Sequence, residues 1–136
     1  MAQETKKRAQ LFSQLAEAWL NQNKEQSKFN FALSKIRKKI KSQVEDYQDE
    51  LSEHRITLAS VDDKKNVLID AQGNFSFTPE NHKTLLSKVK EIGKQTIEFE
   101  PHFVNQNDIP ESLPYSYREA FEGFVIKEQE SEEPQS

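Results

Sequence analysis

Along the middle of the chain, Phe29, Leu33, Ile36, Ile40, Val44, Tyr47, Leu51, His54 and Leu58 recur at steps of three and four. Since about 3.6 residues complete a helical turn, that spacing places them all on one face of a single helix. The predicted helix runs from about residue 24 to 59, roughly 50 Å at about 1.5 Å per residue. Its rhythm is that of a coiled coil at each end. Two successive steps of four between Ile36, Ile40 and Val44 make an eleven-residue unit that locally removes the left-handed supercoil. Packing against shorter helices is therefore expected in place of a long, regular two-stranded coil.

Before this stripe, residues 4–21 carry Leu11, Phe12, Leu15, Ala16, Ala18, Trp19 and Leu20 among good helix formers, without Gly or Pro, and predict a first amphipathic helix. Residues 21–26 are all polar and predict a turn, a bent continuous helix being the alternative. Beyond Ser60 the apolar period shortens. Residues 66–70 and 74–78 are short β-type runs flanking Ala71-Gln72-Gly73, which predicts a β-hairpin over about 64–78.

Thr78-Pro79-Glu80 is a helix start, because Thr caps well and Pro at the first helical position gives up no needed N–H. That helix presents Leu85, Leu86, Val89 and Ile92 and ends at Gly93. Residues 96–104, with Ile97 and Phe99 alternating before Pro101, predict a third strand at a sheet edge. A polar connection over 105–114, a short helix over about 115–122 and an apolar Phe124-Val125-Ile126 follow. Residues 127–136 are too polar to bury a core and are expected to be a disordered acidic tail. No internal repeat is found.

The expected fold is α+β and mainly α: a long central helix packed by two shorter helices, with a β-hairpin or small antiparallel sheet. The first helix would cover the N-terminal half of the long one and the third its C-terminal half, with the hairpin at the far tip. Residues 1–126 would form a single elongated domain. The composition fits such a lean build, with 34% apolar and 31% charged residues against about 45–50% and about 25% in ordinary domains.

Absence of cysteine removes disulfides, thiolate catalysis and Cys-containing metal sites together. No apolar run approaches the roughly 20 residues that span a bilayer, and no apolar leader follows the charged first ten residues. A cytoplasmic protein without a membrane partner is expected. The net charge of −4 gives no global pull on nucleic acid.

Locally the charge is far from even. Lys24, Lys28, Lys35, Arg37, Lys38, Lys39 and Lys41 are opposed only by Glu25, and the following stretch turns acidic with Glu45, Asp46, Asp49, Glu50 and Glu53. Lys28, Lys35, Arg37, Lys38, Lys39 and Lys41 are thus candidates for contacting a nucleic acid or a partner protein, or else a solvated face. Without an interleaved aromatic platform, the solvated face is the simpler expectation. Phe121, Phe124, Val125 and Ile126 are candidates for either core or an apolar partner contact.

Catalytic chemistry finds no support. His54, His82 and His102 show no helical zinc-ligand spacing, and no metal or cofactor is expected. Asp62, Asp63, Asp70 and Asn74 lack the alternating oxygen ligands and closing Glu of a calcium loop, and are expected to form turns. No Gly-x-Ser-x-Gly and no phosphate loop exist among three glycines.

One order of features resembles a known group. Lys-Phe-x-x-Ala-Leu-x-Lys-x-x-Lys at residues 28–38, an acidic continuation, a hairpin with Asp and Gly-Asn-Phe, and a Thr-Pro-Glu helix are similar to small uncharacterised bacteriophage and prophage proteins over about residues 28–104. The resemblance implies a phage gene product, accessory or virion-associated, found in the infected cytoplasm or the virion, and it transfers no functional residue. The functional expectation is a non-enzymatic protein that binds a phage or host protein, with nucleic-acid binding through residues 24–41 as the alternative. Self-association into a homo-oligomer is left open.

Overall fold

The computed structural model describes residues 1–128. In chain order these form β1 (Ala2–Thr5), α1 (Lys6–Gln22), α2 (Lys28–Leu58), α3 (Pro79–Gly93), β2 (Thr96–Phe99), a 3-10 turn at Gln106–Asp108 and α4 (Tyr115–Phe121). The fold is α+β and mainly α, with the long α2 packing against shorter helices. Contacts gather into two compact units. One joins Met1–Val44 to the described residues from Thr96 onward, and the other is Glu45–Gln95.

Unit 1 is built around aromatic rings drawn from four separate stretches of chain. Phe124 lies flat between Phe12 (centroids 4.4 Å apart, planes 15° apart) and Phe99 (5.1 Å, 11°), and Phe121 meets Phe12 edge-on at 5.5 Å. Phe29, Leu33, Ile36 and Ile40 of the stripe complete this core, all fully buried. Such offset and edge-on pairs place positive ring edges against negative faces and add to the gain from burial alone. Phe121, Phe124, Val125 and Ile126 are therefore core residues and no partner contact, because their burial closes unit 1.

The expected turn between the first two helices is real, and one side chain organises it. Asn30 is buried, accepts from Trp19 Nε1 (3.0 Å), and donates through Nδ2 to the carbonyls of Asn23 and Glu25 (both 2.9 Å). Ser27 Oγ accepts from the Asn30 amide at 3.0 Å, giving α2 its N-terminal cap.

The start of the chain departs from expectation. Ala2–Thr5, whose last two residues were expected to open the first helix, is a strand that pairs antiparallel with β2, Ala2 opposite Phe99 and Thr5 opposite Thr96. Its residues have little strand propensity, so the pairing comes from the tertiary fold. Thr5 then caps α1, accepting from the Arg8 amide at 3.1 Å. Arg8 pairs with Glu4, stacks its guanidinium 5.5 Å from the Phe124 ring centre, and donates through Nη2 to the carbonyls of Glu119 and Glu122 (3.0 and 2.9 Å). Those carbonyls end α4, where a cation complements the helix dipole. Glu122 is followed by Gly123 at φ +87°, a conformation that favours glycine.

Unit 2 has a small apolar centre of Tyr47, Leu51 and Ile92 with Val89 against them, so α3 packs on the C-terminal part of α2. Burial raises the Tyr47 hydroxyl pKa above its usual value, and the Arg55 charge pulls it partly back. Thr78 caps α3 as expected, its hydroxyl accepting from the Asn81 amide at 3.1 Å. Asn81 Nδ2 donates to the Leu58 carbonyl at 3.0 Å and ties that start to the end of α2.

Between the two helices lies an internal repeat that the sequence reading missed. Leu68 N donates to Ser60 O, Ser76 N to Leu68 O, and Ser60 N to Ser76 O (2.9, 3.0 and 2.8 Å), a closed ring of amides eight residues apart. Each of the first two copies is a tight loop built on an aspartate. Asp62 Oδ1 accepts from the amides of Lys64 and Asn66, and Asp70 Oδ1 from those of Gln72 and Asn74, all at 2.9 Å. The left-handed position falls at Lys65 (φ +70°) in one copy and Gly73 (φ +85°) in the other. Three-residue loops ending in a left-handed residue are a common hairpin closure. In the third copy Thr78 stands where the aspartates stood, and the chain turns into α3. The predicted hairpin is thus present only as a single bridge, Ile69 with Phe75, and the loop before it, closed by Val61 with Val67, was not expected.

Candidate binding face

The basic run of α2 falls on more than one side of the helix. Phe31, Ser34, Lys35, Lys38 and Lys39 line one shallow hollow on unit 1. Arg37 lies elsewhere, its Nη2 3.2 Å from Glu17 Oε1, linking α2 to α1. Its Nε is buried without a hydrogen-bond partner. Lys41 is exposed but does not line the hollow. Of the six cationic candidates, Lys35, Lys38 and Lys39 therefore lie together, with Lys28 on the adjoining groove.

That groove, about 750 Å³, is bounded by the α1–α2 turn, the start of α2 and the segment from His102 to Asp108. Its walls include Leu20, Phe31, Phe103 and Val104, with Lys24 and Lys28 at the turn. Phe31 is 62% exposed and Phe103 45%, an unusual position for two large rings in a chain with so few apolar residues. The acids Glu25 and Asp108 also line it, so its charge is mixed where that of the hollow is purely basic.

His102 joins the two surfaces. Lys35 Nζ lies 3.2 Å from His102 Nδ1, within hydrogen-bond distance. The ring also meets Phe31 edge-on at 6.1 Å. Lys39 Nζ donates to the Glu100 carbonyl at 3.2 Å. The segment carrying His102 and Phe103 is held by backbone bonds to the last turn of the core, His102 N to Phe124 O and Val104 N to Val125 O (3.1 and 2.9 Å). The face is thereby fixed to the aromatic core behind it.

The expected basic candidates are thus brought partly together, and the aromatic component is new. Phe31 had no place in the apolar stripe, and it is two residues before the end of the Phe29–Leu33 step that defines the buried face. A large ring out of phase within a basic run was the available signal. Phe103 and His102 are far away in sequence and carried none. His54 is half-buried and His82 exposed, both in unit 2, and among the described residues no group of three or more His, Cys, Asp or Glu could hold a metal ion. No helix of the described residues is long and apolar enough to cross a membrane.

Comparison with known proteins finds no family model that matches the chain, and no curated protein or solved structure similar to it.

Proposed function

We propose that this chain is a non-enzymatic, phage-type accessory or virion-associated protein that works by binding, and that its contact surface is the basic and aromatic face of unit 1. The observation that carries the reading is the juxtaposition of Lys28, Lys35, Lys38 and Lys39 with the exposed Phe31 and Phe103. A solvated row of lysines needs no aromatic neighbour, whereas a macromolecular contact uses one. The ligand this face suits best is nucleic acid, which supplies phosphates for the ammonium groups and planar bases for the rings.

Reversing charge at Lys35 and Lys38 should abolish nucleic-acid binding by the full chain at low salt, while the wild type loses affinity steeply as salt rises. Absence of binding to any nucleic acid at about 20 mM salt, where screening is weak, would remove the nucleic-acid reading. A protein partner is the second reading, favoured by one observation in unit 2. Ile56, Val61, Leu68, Ile69 and Leu86 are all exposed there and are available to an apolar contact. Serine at Ile69 and Leu86 should abolish capture of such a partner without disturbing the face of unit 1.

A further inference from the structure

We infer that the binding face selects single strands over duplex, with unpaired bases stacked on Phe31 and Phe103 and the backbone tracked by the lysines of α2. The inference rests on the nucleic-acid reading above and specifies its ligand. In a duplex, base faces are stacked on one another and hidden, so an exposed ring has nothing to stack on. In a single strand each base offers a free face, and stacking on aromatic side chains is tolerant of sequence.

Geometry supports the choice. Phe31 belongs to both surfaces: it lines the purely basic hollow with Lys35, Lys38 and Lys39, and it lines the groove with Phe103. A strand whose phosphates follow the lysines would therefore pass its bases over Phe31 toward Phe103. In the groove Glu25 and Asp108 offset Lys24 and Lys28, so the phosphates are drawn to the purely basic hollow of Lys35, Lys38 and Lys39. A volume of about 750 Å³ admits a base and its sugar, whereas the bases of a duplex are stacked on one another and do not enter it. The His102 ring, with its edge contact to Phe31 and its contact with Lys35, holds both elements in their present orientation.

The test measures anisotropy of a labelled fifteen-nucleotide oligothymidine, and of a duplex of the same length, with the full chain over a salt series. Oligothymidine should bind at least about tenfold more tightly than the duplex. Phe31→Ala and Phe103→Ala should each weaken it about fivefold or more, as expected for a lost base stack, with the salt slope unchanged. Lys38→Gln should instead lower the salt slope by about 0.7, the value for one phosphate contact on a single strand. Both rings are exposed, so the fold should survive, and unchanged Trp19 emission and circular dichroism verify it.

Equal affinity for duplex, or ring variants that bind like the wild type, would overturn the single-strand inference while leaving lysine-dependent binding intact. Failure of both probes at low salt would sink the nucleic-acid reading and this inference with it. Displacement of oligothymidine by a glutamate-rich peptide as effectively as by unlabelled oligothymidine would overturn the inference by assigning the face to an acidic protein.

Discussion

Unit 1 and unit 2 solve the same shortage of apolar residues in opposite ways. Unit 1 spends them on a core whose rings come from Phe12, Phe29, Phe99, Phe121 and Phe124, stretches that meet only when both ends of the chain return to α2. Unit 2 has a centre of three buried residues and relies on local polar closure, with two aspartate loops, a ring of amides and a threonine cap. Long-range burial gives unit 1 a rigid backing on which two phenylalanines can be displayed outward. Local closure gives unit 2 a shape that few apolar contacts can hold, while Val61 and Ile69 stay exposed.

The largest effect should come from the ring in the middle of the stack. Phe124→Ala removes both flat contacts at a fully buried site and is expected to cost about 3–5 kcal/mol, a large part of a small unit's stability. Hydrogen exchange would show amides of α1 and β2 losing protection while those of Leu68 and Ser76 keep theirs. Equal loss in both regions would mean that the two units share one cooperative transition, and the contrast between them would lapse.

Next in size is the polar exception inside unit 1. Asn30→Asp keeps an acceptor for Trp19 but replaces two donated bonds with a carboxylate facing the carbonyls of Asn23 and Glu25. The expected loss is about 2 kcal/mol or more, since a buried charge is left facing acceptors. Partial recovery on acidification, as the carboxyl gains a proton to donate, would show in thermal melts between about pH 7 and pH 4. Stability unaffected by the substitution would mean that the turn is held by something other than this side chain.

The same contrast explains what the sequence disclosed. In unit 2 the cap at Thr78, the helix over 79–93 and the turn role of Asp62 and Asp70 were all legible, because each depends on neighbours within a few residues. In unit 1 the stripe positions Phe29 to Val44 were legible by period, but β1 was not. Ala-Gln-Glu-Thr becomes a strand only because β2 lies beside it. The candidate face was half legible: its lysines stood out as a run, whereas Phe103 and His102 reach it on a segment held by backbone bonds to residues 124 and 125. The eight-residue repeat was hidden for another reason. Its copies share an apolar residue at Val61, Ile69 and Phe77 and the first two share Asp62 and Asp70, but the third has Thr78 there and the first carries Lys65 where Gly73 stands, which masks the shared turn.

A smaller effect belongs to the aspartate loops. Asp70→Ala deletes two amide contacts in an exposed loop, for which about 1 kcal/mol is expected, and Asp62→Ala should cost a similar amount. Denaturant midpoints for the two variants should match closely. A large inequality would show that the copies are alike in geometry but not in energetic weight.

The smallest change tests whether the repeat is limited by its one irregular residue. Lys65 sits at φ +70°, where a side chain crowds the following carbonyl, and the equivalent site in the next copy is Gly73. Lys65→Gly relieves that crowding but widens the unfolded ensemble, two terms of opposite sign, so the net gain should be only about 0.5 kcal/mol. Gly73→Ala introduces the crowding while narrowing the unfolded ensemble, and open space around its Cβ leaves backbone strain as the native-state cost. It should lose roughly as much as Lys65→Gly gains. Opposite shifts of similar size in denaturant midpoint would establish the two loops as equivalent, whereas a loss at both positions would mean that the Lys65 side chain stabilises its loop in a way that its backbone conformation conceals.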